Sequence, residues 1–375
     1  MAASEQQSRK LYSLDYARGV AVLLVSTGHF FDLHPSAYES VNIIRRSISF
    51  SGLPLFFVLS GFLLTRQMVF YREKYAGTGR AGLWKMFFMN RLLRIYPAYL
   101  VSLLVLGMLN AHSPFDILTH AFNIHNFFVD HIMSINPVYW TLAVEFQWYL
   151  AFPFLFIMFS AKRSLFRDMM LLLFLFSLGF LWRQYMISQF LHGLISYDEL
   201  FLFGHGQLIA HAFAFCLGIA LFYFFMHTEN RAHRSDGIAL SAGIVLCLIG
   251  GSITLWGLES PSTMYGVHLN LGSFFFLPLG SCLMLYYMVM NEPRFTGGKK
   301  YFTSFVKWIG IISYSLYLWH YPVILKLHGT SQNVVLDFMV AFSAAIGLSA
   351  VSYLVIEKYF IQFKRVFMRR LLAKD

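Results

Sequence analysis

Hydrophobic residues along the chain gather in ten long runs, at 11–33, 48–66, 95–111, 138–160, 168–187, 200–226, 238–257, 268–290, 305–326 and 333–357. A helix that crosses a bilayer needs about 20 mostly apolar residues, within a range of about 17 to 25, and the runs are of that order. They are continuously apolar rather than alternating over segments of about 10 residues, so barrel strands are excluded. Gly and Pro interrupt several runs, and a re-entrant segment would change the number to nine or eleven. The pattern predicts an all-α fold: a polytopic transmembrane helix bundle of about ten spans.

Lys and Arg are distributed unevenly between the runs. The N-terminal end, the second, fourth, sixth and eighth connections and the C-terminal tail hold 25 of the 29. The opposite side keeps Arg45, Arg46, Arg183 and Lys326. Basic residues in short connections stay on the cytoplasmic side, so both termini are expected to be cytoplasmic. The net charge of +11 then follows from topology, and the partner it indicates is the lipid bilayer, not nucleic acid. The connection 67–94 is polar and contains Gly77, Gly79 and Gly82, which predicts a solvated loop.

Length alone, 375 residues, would allow two or three soluble domains. Composition overrides this: 58% of residues are hydrophobic and 13% charged, with a mean hydropathy of +0.59. Cys216, Cys247 and Cys282 each lie in an apolar run, which leaves no disulfide framework and no CxxC knuckle. The first run is of full span length, carries Asp15 and Arg18 and lacks a small-residue cleavage site, so it is not a removable signal peptide. Residues 1–375 are expected to form one transmembrane domain with no appended soluble domain.

Ionisable groups at membrane depth are costly, and they usually face the bundle interior and serve function. Four places carry them. Arg18 and His29 share one face of the first run, about three turns or 16 Å apart; the alternatives are a snorkelling arginine and an interfacial histidine bonded to a carbonyl. Glu145 in PVYWTLAVEFQWYL lies about two turns, or 10 Å, into its span. That depth matches His29, so Glu145 is expected either to orient the imidazole or to serve as a structural carboxylate bonded to nearby Tyr or Trp donors. In ISYSLYLWHYP, Ser313, Tyr317 and His320 share one helix face beside Tyr314, although Trp319, Tyr321 and Pro322 also fit an interfacial belt. Arg91 and Arg94 in NRLLRIYPAY stand one turn apart at the expected N-terminus of the third span. That is a seat for phosphates, and equally a topology signal.

Weaker signals are read conservatively. His205 and His211 are six residues apart, which places them on different faces of a regular helix, so no metal pair is expected. The histidines of the 112–137 connection show no ligand spacing, and no metal site is called. There is no GxSxG, Walker A or GxGxxG, so no serine elbow is available. Ser60 in FVLSGFLL reads as a small packing residue beside Gly61.

Taken in order, LDYARG with Arg18 and His29, PLFFVLSGFLL at 54–64, RLLRIYPAY at 91–99, WTLAVEFQWYL at 140–150, SYSLYLWHYP at 313–322 and the closing IEK at 356–358 resemble the acyltransferase 3 family of integral membrane acyltransferases. The resemblance covers nearly the whole chain. It implies a membrane O-acyltransferase that takes an acyl group, usually acetyl, from acetyl-CoA or another acyl-CoA to a hydroxyl of an envelope glycan such as lipopolysaccharide, or of a lipid-linked sugar. It also implies that His29 is the catalytic histidine, Arg18 its companion in an R-x10-H motif, and Arg91 with Arg94 an RxxR pair that binds the cofactor. Glu145 matches the first acidic position of the WSLxxEE stretch, and Phe146 stands where the second would be. The oxyanion donor is open among Trp140, Ser313, Tyr314 and Tyr317; with His320 these are the candidate substrate-binding residues. The expected location is the bacterial inner membrane. Two other functions fit the same residues: a proton-coupled transporter with His29, Glu145 and His320 as relay, and an acyltransferase acting on a small molecule such as a macrolide.

Overall fold

The computed structural model describes residues 10–34, 45, 49–75, 79–160, 165–228, 237–259, 271–292, 295, 301–331 and 333–364. Among them there is no strand. The helices are α1 (Tyr12–Leu33), α2 (Gly52–Lys74), α3 (Arg80–Leu109), α4 (Pro114–Ala121), α5 (Tyr139–Ser160), α6 (Leu165–Leu191), α7 (Leu208–Thr228), α8 (Ile238–Glu259), α9 (Leu277–Met290), α10 (Tyr301–Ile311), α11 (Ser313–Leu327) and α12 (Val334–Ser352). Five-residue π-helical stretches lead into α7 (Phe201–His205) and α9 (Gly272–Phe276) and continue α12 (Tyr353–Glu357). Eight of the described helices are long and apolar enough to cross a membrane, which makes the chain a multi-pass membrane protein. α1 is 22 residues long and more polar. The ninth apolar run is divided at Ile312 into α10 and α11.

Helix limits differ from the sequence expectation in one consequential place. Most of the stretch 67–94 is helix: α2 runs on to Lys74 and α3 begins at Arg80, and 76–78 lie outside the described residues. After Gly82 nothing breaks the helix before Pro97, which sits inside α3 rather than in its opening turns. Arg91 and Arg94 therefore lie about three turns into α3 and not at a helix N-terminus, so any anion they hold is held by guanidinium groups without help from free N–H groups. Several basic residues of the topology count, namely Arg9, Arg46, Lys162, Arg163, Arg231, Arg234, Arg294, Lys299, Lys300 and the tail from Arg365, lie outside the described residues.

At the centre, α2 packs against α1, α7 and α9. Without a hydrophobic drive between helices in lipid, close approach depends on small residues. A Cβ added at Gly61 of α2 would lie 2.0 Å from the Phe215 carbonyl oxygen, and one at Gly218 of α7 would lie 2.0 Å from that of Val58. Gly218→Leu is expected to force the two backbones apart and destabilise the bundle by about 3 kcal/mol or more, beyond ordinary overpacking. Thermal unfolding in detergent checks this; an unchanged midpoint would show that the crossing tolerates a side chain.

The connection after α3 is folded, not open. Ser113 caps α4, accepting from the Asp116 N–H at 3.0 Å. His120 and His125 are fully buried and stack with centroids 3.9 Å apart, and the Tyr99 hydroxyl donates to the His120 carbonyl at 2.8 Å. Burial lowers the His120 imidazole to about 4 and holds His125 well below its usual range. The folded connection thus binds fewer protons than the unfolded one between pH 6.5 and 4. Its stability should be complete above about pH 6.5 and fall between about pH 6.5 and 4, by roughly 3 kcal/mol for His120 alone. Hydrogen exchange of residues 112–137 against pH measures the loss, and His120→Asn should remove the His120 share of it while that of His125 remains.

Candidate active site

Two adjoining cavities occupy the bundle. The larger, about 500 Å³, is lined by His29, Asp32, Trp140, Tyr197, Phe201, His205, His211 and Tyr321 among others. The smaller, about 120 Å³, is lined by Arg18, Ser60, Arg91, Arg94, Glu145, Tyr149, Ser313 and Tyr314. Leu53, Phe57, Thr141 and Tyr317 belong to the walls of both. Those four residues form the wall common to the two chambers.

His29 comes from the last turns of α1, and its hydrogen-bonding partner is His320. His29 Nδ1 lies 2.9 Å from His320 Nε2, with the rings stacked at 9°. His320 Nδ1 is 3.0 and 2.9 Å from the carbonyl oxygens of Leu316 and Tyr317. Tyr321 packs edge-on against His29 at 5.3 Å. His320 is 0% exposed and is not among the residues that line either cavity.

Glu145 does not join this pair. Its Oε1 accepts from the Tyr149 hydroxyl at 2.5 Å and from Ser60 Oγ at 3.2 Å, the tyrosine-bonded arrangement that the sequence offered as the structural alternative. The α5 residues that share the cavity with His29 are Pro137, Val138, Trp140 and Thr141, a turn before Glu145. His29 and Glu145 thus line different cavities. Ser60 is accordingly a hydrogen-bonding wall residue, while its neighbour Gly61 makes the helix crossing.

The smaller cavity is a guanidinium chamber. Arg18 pairs with Asp15 at 2.7 Å. Arg91 donates to the Gln67 side chain, which in turn donates to Tyr71 at 2.8 Å, and its guanidinium stands 5.8 Å from the Tyr149 ring centre. Arg94 makes no hydrogen bond or ion pair among the described residues. Three guanidiniums face the Glu145 carboxylate, with Asp15 paired to Arg18, so cations exceed carboxylates by one. Tyr314 donates to the Ile95 carbonyl at 3.0 Å, and Tyr317 and Thr141 share a hydroxyl contact above the Val138 carbonyl. Trp140 makes ring contacts to Phe201 and His211, and its indole N–H has no partner among the described residues.

Some participants were missed. Gln67 is an ordinary polar residue in an apolar run, and only packing reveals that it holds Arg91. Glu357 accepts from Ser315, whose hydroxyl oxygen lies 3.1 Å from that of Ser352; IEK marked the position without a role. His205 and His211 both reach the larger cavity, because the π-helical stretch and bend before α7 break the regular phase that would separate them; His211 Nε2 is 2.9 Å from the His205 carbonyl. Arg183, counted as a connection residue, is buried, donating to the Ala210 carbonyl at 2.7 Å over the Phe274 ring. Among the described residues no three His, Cys, Asp or Glu side chains converge as a metal set.

The sequence profile of the acyltransferase 3 family, described as an acyltransferase domain, matches residues 11–357. Peptidoglycan O-acetyltransferase OatA of Listeria monocytogenes is 26% identical over 86% of the chain and 51% of the relative. A putative O-acetyltransferase of Staphylococcus aureus is 25% identical over 95% of the chain and 58% of the relative. O-acetyltransferase OatA of the same species is 26% identical over 84% and 51%. The chain thus spans somewhat over half the length of these curated relatives. No solved structure matches it significantly. With most of the ordered motifs lining two adjoining chambers of a helix bundle and the profile covering residues 11–357, the chain belongs to the acyltransferase 3 family of membrane acyltransferases.

Proposed function

We propose that the chain is an O-acyltransferase of the bacterial inner membrane that moves an acyl group, most simply acetyl, from acyl-CoA to a hydroxyl of a cell-surface glycan or lipid-linked sugar. The observation that carries this reading is the pair of adjoining chambers: three arginines in one, a histidine facing the other, and a common wall between them. Arg94, with Arg91 and Arg18, would hold the phosphates of CoA by charge-assisted hydrogen bonds. The larger cavity has aromatic walls at Trp140, Phe201 and Tyr321, suited to the apolar face of a sugar ring. The relatives named as O-acetyltransferases, one of them of peptidoglycan, favour a glycan acceptor over a small molecule.

In the proposed step His29 takes the proton of the acceptor hydroxyl as its oxygen attacks the thioester carbonyl. Collapse of the tetrahedral adduct breaks the C–S bond, and the departing CoA thiolate takes the proton back from His29. Positioned general-base help of this kind is worth about 10² to 10⁴ in rate. Trp140, with its unengaged N–H, is the candidate donor to the oxyanion; Tyr314 and Tyr317 are already committed to backbone carbonyls. A proton-relay transporter is disfavoured, because Glu145 is bonded to Ser60 and Tyr149 and makes no bridge between the imidazoles.

The test is full-length protein in detergent with radiolabelled acetyl-CoA and a glycan extract from the envelope. Label passing to glycan supports the reading; no thioester turnover with any acyl-CoA overturns it.

A further inference from the structure

We propose that His320 is a positioning residue that fixes the tautomer of His29, holding the His29 proton on Nδ1 and leaving Nε2 as the reacting atom. This rests on the reading of His29 as the catalytic base. The argument needs only hydrogen-bond roles. A carbonyl oxygen accepts and never donates. His320 Nδ1 lies 3.0 and 2.9 Å from the Leu316 and Tyr317 carbonyl oxygens, so that nitrogen carries a proton. In a neutral imidazole the other nitrogen then holds a lone pair, which makes His320 Nε2 an acceptor. The atom facing it at 2.9 Å is His29 Nδ1, which must donate.

The proton of His29 is thereby placed on the nitrogen that points away from the larger cavity. Its Nε2 makes no hydrogen bond among the described residues, and His29 lines that cavity. The chain of donors runs from His29 to His320 to the backbone of α11, with no carboxylate in it. This is the orienting role that a buried acid plays in catalytic triads, carried here by an imidazole anchored to carbonyls. Because His320 is 0% exposed, its influence reaches the substrate only through His29.

Three variants and one spectrum test the assignment. His320→Leu removes the acceptor, so His29 is free to flip its proton to Nε2; kcat should fall about 10²-fold or more while KM for both substrates stays within about twofold. His320→Gln keeps an acceptor for His29 and a donor for the carbonyls, and should recover at least tenfold of that loss. Turnover by His320→Leu within twofold of the parent, or no recovery by His320→Gln, would overturn the assignment. Nitrogen-15 NMR of histidine-labelled protein, with His29→Ala to assign the signal, reads the tautomer without any activity. A proton on Nδ1 of His29 supports it, and one on Nε2 overturns it even if His320→Leu proves too unstable to assay. If His29→Ala itself retains normal turnover, the catalytic reading has failed, whatever His320 does. If His29→Ala is dead and His320→Leu is normal, only the present inference has failed.

Discussion

Replacing His29 with Ala is expected to abolish acyl transfer, with kcat/KM down by about 10³-fold or more, while expression and thermal stability change little. The size follows from the general-base contribution of about 10² to 10⁴. The structural cost is confined to one hydrogen bond to His320 and ring contacts with His320 and Tyr321, so unfolding in detergent should shift by no more than the loss of one buried hydrogen bond, about 1–3 kcal/mol. His29→Gln should be equally inactive, since an amide can hold a hydrogen bond to His320 but cannot take a proton. The check is initial-rate transfer of labelled acetyl at saturating donor. Residual turnover above about a tenth of the parent rate would remove His29 from the chemistry.

Removal of the chamber's cations should show in donor binding instead. Arg94→Ala is the cleaner single change, because Arg94 has no bonded partner to orphan. Arg91→Ala also frees Gln67 and mixes a structural loss into the result. Hydrogen bonds to a charged group are worth about 1.5–3 kcal/mol each, so Arg94→Ala should weaken acyl-CoA binding about tenfold to a hundredfold, and the Arg91→Ala, Arg94→Ala double variant further. The parent should lose affinity steeply as salt is raised, and the double variant much less so. Arg94→Lys keeps the charge without the planar fork and should recover only part of the loss. Equal donor affinity in parent and double variant, measured by isothermal titration with acetyl-CoA, would return both arginines to a topological role.

Legibility varied with the kind of information each feature needed. The span pattern, the polar residues inside it and the ordered motifs could all be read along one dimension, and the family follows from them. Helix starts were less legible. Nothing in 67–94 distinguishes a glycine-bearing loop from helix ends that extend past the bilayer, so Arg91 and Arg94 were assigned to a terminus that lies eleven residues earlier, at Arg80. The phase argument for His205 and His211 failed for a related reason. It assumes a regular turn, and the chain between them passes from a π-helical stretch through a bend into α7.

The pairing of His29 with Glu145 is the instructive miss. Depth along a helix was estimated for each, but two residues at similar depth touch only if their helices are neighbours and rotated to face one another. Glu145 is instead turned to Ser60 of α2 and to Tyr149 one turn on in α5. Phe146, standing where the family pattern has an acid, lines a pocket with Tyr96, Tyr99, Arg91 and Glu145, against the Tyr96 ring at 5.9 Å.

What the amino-acid order alone decides here is that this chain must be helical and must cross a bilayer repeatedly, because uninterrupted apolar runs in lipid have no other way to satisfy their backbone groups. It also decides which polar side chains have to be accommodated within those runs. Tertiary packing decides the rest: which imidazole stands behind His29, which arginine is left unpaired, and that the two chambers share walls at Leu53, Phe57, Thr141 and Tyr317. Those outcomes depend on the rotation and depth of helices far apart in the chain, set by glycine crossings such as Gly61 with Gly218, and no local pattern of residues encodes such an angle.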